Sequence, residues 1–173
     1  MNSLILHHLG HGDIQVRPAI KQCQGNTVEF SDGSRADYDK ILFATGYKLH
    51  YPFIDASTLN WQGPAPNLYL NVFNPSEPNV LMLGMIEAAG LGWQGRAEQA
   101  ELAALYLRAQ QDKPSAVNEF RRTIAEAMAK DAHKMDGGMA YLKLDRMAYY
   151  VHKETYRATI KQHTRQLKQQ LKA

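Results

Sequence analysis

The sequence predicts an α/β fold followed by a helical C-terminal tail. Three observations support this prediction: a turn-rich first half with short strand patterns, two fully apolar four-residue runs, and helical periodicity in the second half. The 173 residues suffice for one well-cored domain.

The first half predicts a β-meander. A short strand is expected at 14–16. Residues 19–22 and 27–30 flank the dipeptide Gly25-Asn26, which suits a hairpin turn. Asp32-Gly33 supplies the chemistry for a second tight turn.

Two apolar runs, 41–44 and 80–83, predict strands that are buried on both faces. Such runs, bounded by turn signals, are typical of a parallel sheet covered by helices. Gly46 and Gly84 end the two runs. Between them, the alternating segment 67–73 predicts a further short strand.

Helical patterns follow the second apolar run. A helix is predicted from about residue 94 to 109, and a second one begins at Ser115 as its N-cap and ends before Gly137-Gly138. Another helix, continuous or broken midway, is expected from about residue 143 to the C-terminus.

Composition favours a globular protein of the cytoplasm. The apolar fraction is 45% and the charged fraction 21%. No stretch approaches the ~20 apolar residues of a membrane span, and the first residues lack the pattern of a signal peptide. The single cysteine, Cys23, excludes an internal disulfide and is expected to be inert. A net charge of +3 implies no nucleic-acid partner.

Two polar clusters have competing interpretations. His7, His8 and His11 suggest a metal site, but no companion ligand completes a set, and a frayed, exposed N-terminus explains them better. We therefore expect no metal. A basic stripe near the C-terminus is expected to be a solvated helix face; its members are Lys153, Arg157, Lys161, Arg165, Lys168 and Lys172.

The stretch "YDKILFATGY" resembles the signature strand of the flavin-containing monooxygenases and their Baeyer–Villiger relatives. The matching positions are Asp39, Ala44, Thr45, Gly46 and Tyr47. "GDIQVRPAI" with "NTVEFSDGS" is similar to the meander before that strand in the family. "NLYLNVFNPSEPNVLMLGMIEAAGLGWQGRAEQAELAALYL" is similar to the segment that returns to the FAD-binding domain.

The resemblance, clearest from about residue 12 to 110, implies an incomplete FAD/NAD(P)-binding, Rossmann-like two-domain fold with a β-meander, two buried parallel strands and a helical tail. Residues 1–48 would be the C-terminal part of the NADPH-binding domain. Residues 49–113 would be the return segment of the FAD-binding domain, and 114–173 a helical C-terminal region.

The phosphate-binding turns of such an enzyme are not found in this sequence. "GHGDIQ" lacks the third glycine, whereas "GLGWQG", with Gly90, Gly92 and Gly95, fits the Gly-x-Gly-x-x-Gly pattern. That second match is either a dinucleotide fingerprint or a turn that directs a helix N-terminus. We expect the isolated chain to be inactive and its binding of FAD or NADPH to depend on missing parts.

The resemblance also suggests where the cofactors would lie. No catalytic residue is assigned, because the family's chemistry is carried mainly by its cofactors. Glu87 is an unfavourable neighbour for an electron-rich flavin, and pairing with Arg96 is the alternative. The residues expected near flavin or nicotinamide are Thr45, Gly46, Tyr47, Ile86, Glu87, Gly90, Trp93 and Gln94.

Two functions remain open at this point. One is a segment of an FAD- and NADPH-dependent monooxygenase acting on a small organic substrate, by N- or S-oxygenation or by a Baeyer–Villiger reaction. The other is a truncated, non-enzymatic interaction module or pseudoenzyme. The expected partners are the substrate of the full enzyme and either a second copy or a complementing N-terminal chain, with no nucleic acid and no membrane span.

Overall fold

The computed structural model describes residues 3–130, 135 and 145–172 and divides the chain into two compact units, Met1–Gly46 and Tyr47–Ala173. The predicted helix end at Gly137-Gly138 lies outside the described residues. In the described part of the chain, no helix has the length and apolar character needed to cross a membrane.

The first unit contains a helix and the predicted meander. Helix α1 (Leu4–His11) is followed by β1 (Ile20–Gln24), β2 (Thr27–Phe30) and β3 (Arg35–Asp37), which form one antiparallel sheet in the order β1-β2-β3. Gly25 (φ +58°) makes the β1–β2 turn, which confirms the predicted hairpin.

Two details of the N-terminal region differ from expectation. The histidine-bearing segment is helical rather than frayed, although all of its side chains lie at or near the surface. The strand expected at 14–16 does not form, because these exposed residues have no strand beside them with which to pair.

The carboxylate of Glu29 joins the three strands of the meander. Its side chain is only 10% exposed and accepts hydrogen bonds from Lys21 Nζ at 2.6 Å and from Arg35 Nη2 at 2.7 Å. The hydrogen bond from Lys21 is the largest cause, and that from Arg35 the next, of a lowered pKa of Glu29, which falls to about 2. The central strand is therefore tied to both neighbours by charge as well as by its backbone.

The predicted buried strand at 41–44 is wrong. Residues 38–55 contain no helix or strand, and Leu42 and Phe43 are 91% and 76% exposed. An apolar run indicates that the side chains of a segment need to be buried. A parallel strand also needs a neighbouring strand that pairs with its N–H and C=O groups. No described segment of this chain provides that neighbour.

The described part of the second unit contains a small hairpin and three long helices. A 3-10 helix (Ala56–Leu59) precedes β4 (Trp61–Gln62) and β5 (Ala65–Pro66), which pair antiparallel. Helices α2 (Gly92–Asp112), α3 (Pro114–Ala129) and α4 (Lys153–Lys172) follow, with a 3-10 helix at Asp145–Tyr149.

The helical prediction is largely confirmed, with two corrections at helix ends. Pro114 occupies the first turn of α3 and Lys113 precedes it, so Ser115 lies inside the helix rather than at its N-cap. In the last helical region α4 begins only at Lys153, so the helix expected from about residue 143 is interrupted between Tyr149 and Lys153, somewhat before its midpoint.

The second predicted buried strand, 80–83, is also wrong, as is the short strand at 67–73. Instead, Tyr69 and Phe73 exchange two backbone hydrogen bonds of 2.9 Å around a tight loop. Leu70 (φ +56°) and Asn71 (φ +54°) adopt left-handed backbone conformations and reverse the chain. The alternation of apolar and polar residues over 67–73 gives no sign of this turn. The run 80–83 makes only an isolated antiparallel bridge to this loop.

A buried polar network holds the tight loop against two helices. Gln99 of α2 is fully buried; its Oε1 accepts from the Gly84 N–H at 2.9 Å, and its Nε2 donates to Tyr156 Oη at 2.7 Å. The Tyr156 hydroxyl donates to the Leu70 carbonyl at 2.8 Å. Burial raises the pKa of Tyr156 well above its usual value, so the hydroxyl remains a donor.

Aromatic rings fill the space between the three helices. Phe120 of α3 packs edge-on against Phe73 at 4.9 Å and against His163 of α4 at 5.1 Å between ring centroids. His163 Nδ1 donates to Gln166 Oε1, so Nε2 accepts from the Tyr69 hydroxyl at 2.8 Å. Burial lowers the pKa of His163 and raises that of Tyr69 to about 12.

The basic stripe of α4 is not simply a solvated face. The Arg157 side chain is 21% exposed, and its Nε lies 2.9 Å and 3.1 Å from the two carboxylate oxygens of Glu98 on α2. Lys168 forms a more exposed ion pair with Glu101. The acids of α2 thus fix the register of α4, a relation that the spacing within α4 alone does not show.

Replacement of Gln99 by Leu should lower the free energy of unfolding of the second unit by about 1–3 kcal/mol, because it leaves the Gly84 N–H without its acceptor and the Tyr156 hydroxyl oxygen without its donor. The matched control is Gln111→Leu, on the exposed part of the same helix, for which we expect a change within about 0.5 kcal/mol. Urea unfolding measures both. Equal effects would contradict the structural role of Gln99.

Acid should destabilise the second unit through His163. Its pKa is lower in the folded state than the ordinary 6.5, so the stability contributed by the neutral ring is present above about 6.5 and is lost as the pH falls below it. The replacement His163→Gln should flatten this dependence, whereas His50→Gln, at an exposed position, should leave it unchanged. Chemical unfolding between about pH 8 and 5 tests this; identical profiles for wild type and His163→Gln would refute it.

Candidate functional site

The residues expected near a cofactor fall in two regions of the chain. Thr45 and Gly46 end the first unit and are exposed; Gly46 has φ +82°, and nothing lies within 4 Å of the position that a Cβ would take. Tyr47, at the start of the second unit, is 96% exposed. The Ala-Thr-Gly-Tyr motif is therefore fully open to a binding partner or a ligand.

The remaining expected residues lie in one continuous segment, the turn 86–91 and the first residues of α2. Arg96 fastens this turn, because its guanidinium donates to the Ile86 carbonyl at 3.2 Å and to the Gly92 carbonyl at 3.0 Å. The same guanidinium carbon lies 5.9 Å from the centre of the Trp93 ring. The ring is 86% exposed and is presented to solvent above the helix start.

The residues before α4 brace the other side of the turn. The Glu87 N–H donates to the Tyr149 carbonyl at 3.2 Å, and the Val151 N–H donates to the Glu87 carbonyl at 2.8 Å. The Ala89 N–H donates to the Tyr150 hydroxyl at 3.3 Å. The position of the turn thus depends on the packing of the C-terminal region.

The side chains of Ile86 and Glu87 differ in their exposure to solvent. Ile86 is 2% exposed and belongs to the hydrophobic core, so only its main chain is available to a ligand. Glu87 is exposed, and Arg96 donates to two main-chain carbonyls rather than to the Glu87 carboxylate. The alternative pairing considered for Glu87 is therefore wrong.

The glycines of "GLGWQG" build a turn and a helix contact. Gly90 (φ +72°) and Gly92 (φ +52°) adopt left-handed conformations at the helix start. Gly95 lies inside α2, where an added Cβ would overlap the buried side chain of Leu91. A dinucleotide fingerprint requires a strand directly before the turn. In the described structure the residues directly before this turn form no strand, so the fingerprint interpretation is wrong.

The electrostatic environment of the helix start favours an electron-rich ligand. The first turn of a helix leaves N–H groups without intrahelical acceptors and carries a partial positive charge. Gln94 lies in this exposed first turn. Lys153 Nζ lies 3.5 Å from the position of a Cβ on Gly90, which adds a full positive charge beside the turn. Sequence reasoning missed both Lys153 and the anchoring role of Arg96.

The residues at the start of α2 form an exposed surface. Grooves of about 140 Å³ between α3 and α4 and of about 250 Å³ between α2 and α4 lie away from it. Tyr47 lines another groove, of about 170 Å³, with Trp61 and Tyr149. These volumes fall below the ~300 Å³ at which small-molecule sites begin.

Metal-binding groups of three or more His, Cys, Asp or Glu side chains do not occur among the residues that the structure describes. Cys23 is a free, exposed thiol.

Replacement of Gly95 by Ala should destabilise the second unit by about 1–3 kcal/mol, since the new methyl group displaces Leu91 from the core. In a helix interior this substitution normally stabilises by about 1 kcal/mol. The sign should therefore reverse in a Leu91→Ala background, where the space is free. A double-mutant cycle by thermal unfolding checks this, and a stabilising effect of Gly95→Ala in the wild-type background would contradict the packing described.

Comparison with known proteins gives a consistent result. The model of the flavin-binding monooxygenase-like family matches residues 2–167. Flavin-containing monooxygenase 3 of Rattus norvegicus is 29% identical over 141 residues, which cover 80% of this chain and 26% of that protein. Flavin-containing monooxygenase 5 of Oryctolagus cuniculus is 29% identical over 126 residues, covering 71% of this chain and 23% of that protein.

A shorter match reaches 33% identity over 82 residues of flavin-containing monooxygenase 1 of Homo sapiens, covering 46% of this chain and 15% of that protein. The chain thus spans about a quarter or less of the length of these relatives. No solved structure matches it. Because the family match extends over nearly all of the sequence and includes both the Ala-Thr-Gly-Tyr motif and the turn before α2, the chain belongs to the flavin-binding monooxygenase-like family.

Proposed function

We propose that this chain is the C-terminal segment of an FAD- and NADPH-dependent monooxygenase that oxygenates a small organic substrate, at nitrogen or sulfur or by a Baeyer–Villiger reaction. The observation that carries the proposal is the family match over residues 2–167 in a chain that spans about a quarter of its relatives. In this proposal the Rossmann-like sheet is completed only when the rest of the enzyme is present.

The exposed apolar segment supports this proposal. Leu42, Phe43 and Tyr47 are 91%, 76% and 96% exposed, and Phe53 is 81% exposed. Apolar side chains in such a run are normally covered. The dinucleotide-binding part of the enzyme would supply both the cover and the neighbouring strands for residues 41–44.

The turn before α2 would contribute one wall of the flavin site. When bound, the flavin supplies the oxygen chemistry with reducing equivalents from NADPH. The residues of this chain would bind and orient it: the start of α2 and Lys153 offer positive potential, Trp93 offers an exposed ring face, and Arg96 holds the turn in place. Gly46 would allow close approach of the main chain at the domain boundary.

A second candidate is a non-enzymatic interaction module. The observation that favours it is the second unit's own well-packed core, centred on buried residues of α2, α3 and α4. Such a unit could fold and bind a partner without any cofactor. The two candidates differ in whether the chain restores flavin binding to the rest of a related enzyme.

The test is complementation. A flavin-containing monooxygenase relative from which the matched segment has been removed is mixed with this chain, and co-elution, FAD retention and NADPH oxidation with a thioether or tertiary amine are measured. We expect association and restored FAD retention. Replacement Phe43→Glu should weaken the association about tenfold or more, because it places a charge in the covered segment. Replacement Leu107→Glu, at another exposed apolar position, should not.

Each alternative result is informative. A folded, monomeric chain that does not associate would favour the interaction module. Saturable quenching of flavin fluorescence by the chain alone would contradict the claim that it supplies only one wall of the site.

A further inference from the structure

We propose that His7 and His11 form a two-imidazole chelate on helix α1 that binds a divalent late transition-metal ion such as Zn²⁺ or Ni²⁺. The site lies on the helix of the first unit. The proposed site depends on the helical conformation of residues 4–11, which the sequence analysis did not predict.

The helix brings the two rings together. Positions i and i+4 lie one above the other on the same helix face. The ring centroids of His7 and His11 are 4.1 Å apart, with an angle of 35° between the ring planes. His8 lies one position further along the helix, and its ring is nearly perpendicular to that of His7 at 5.5 Å. The pair therefore consists of His7 and His11, without His8.

A hydrogen bond prepares one of the rings for coordination. His11 Nδ1 lies 3.0 Å from the His7 carbonyl oxygen. A carbonyl only accepts, so Nδ1 carries the proton and Nε2 carries the free lone pair. Metal-binding histidines commonly donate their other ring N–H to a backbone carbonyl in this way, which fixes both tautomer and ring orientation. Imidazole nitrogen is a preferred ligand of Zn²⁺, Ni²⁺ and Cu²⁺.

The nearby side chains of His8 and Asp13 already interact with each other. His8 Nδ1 lies 3.0 Å from Asp13 Oδ2, so this imidazole and carboxylate satisfy each other. Two protein ligands and water would complete the coordination, because the described residues offer no third ligand at this place. The site is open to solvent, since both histidines are exposed. We therefore expect reversible binding with rapid exchange.

Metal binding should also stabilise the helix. An isolated helix of eight residues is marginal in water. An ion that bridges positions i and i+4 binds only the helical form, and any ligand that prefers the folded state stabilises it. Ordering of α1 on metal addition is thus a second readout, independent of affinity.

The experiment titrates the full chain with ZnCl₂ by calorimetry and follows the imidazole nitrogens by NMR. We expect one equivalent to bind, with shifts of Nε2 in His7 and His11 and slower amide exchange in α1. Replacements His7→Ala and His11→Ala should each weaken binding about tenfold or more, whereas the matched control His8→Ala should change it less than about twofold.

Three results would overturn the proposal. They are the absence of binding up to about 1 mM Zn²⁺, equal loss in His8→Ala and His7→Ala, and undiminished affinity when both His7 and His11 are replaced. Far-UV circular dichroism of the metal-free variants shows whether a loss of affinity comes from loss of the fold. Should His7→Ala weaken α1 itself, the variant His7→Gln, which keeps a polar side chain of helical propensity, distinguishes the two effects.

Discussion

The hydrogen bonds that Gln99 and Tyr156 make to the left-handed loop at Leu70 are the constraint on which the second unit depends. Leu70 is bulky and sits at φ +56°, a conformation that costs free energy unless its surroundings hold it. Its carbonyl accepts from Tyr156 of α4 at 2.8 Å, and Gln99 of α2 connects Tyr156 to the Gly84 N–H. One buried network therefore fixes the loop, helices α2 and α4, and the chain before the candidate site.

The position of the candidate site depends on this hydrogen-bond network and on the helices that it joins. Gln99 lies two helical turns after the start of α2, and Arg96, one turn closer, holds the Ile86 carbonyl. The residues just before α4 brace Glu87 through two backbone hydrogen bonds. Hydrogen bonds from α2 and from the residues before α4 therefore hold the start of α2, whereas the segment around 41–44 has no described strand beside it.

Sequence reasoning located the elements that are specified locally. The β1–β2 hairpin follows from the conformational freedom of Gly25, and α2 follows from its periodicity and the glycines before it. It failed where the structure depends on distant residues. The apolar run at 41–44 indicates that these side chains need to be buried, but not which segment would bury them. Gln99 is a polar residue in an ordinary helical pattern, and only the partners brought by folding reveal its role. Recognition of the family motif located the turn before α2, but Lys153 reaches it from about 60 residues further along the chain, which no local pattern predicts.

Amide hydrogen exchange of the full chain tests the central claim most directly, because it reports the ordered network and the unpaired segment in one measurement. We predict slow exchange at the Gly84 N–H and through the middle of α2, where Gln99 lies, and fast exchange across residues 41–50. Protection of residues 41–44 in the isolated chain would show that they are already paired. Fast exchange at Gly84 would show that the buried network does not hold the second unit together.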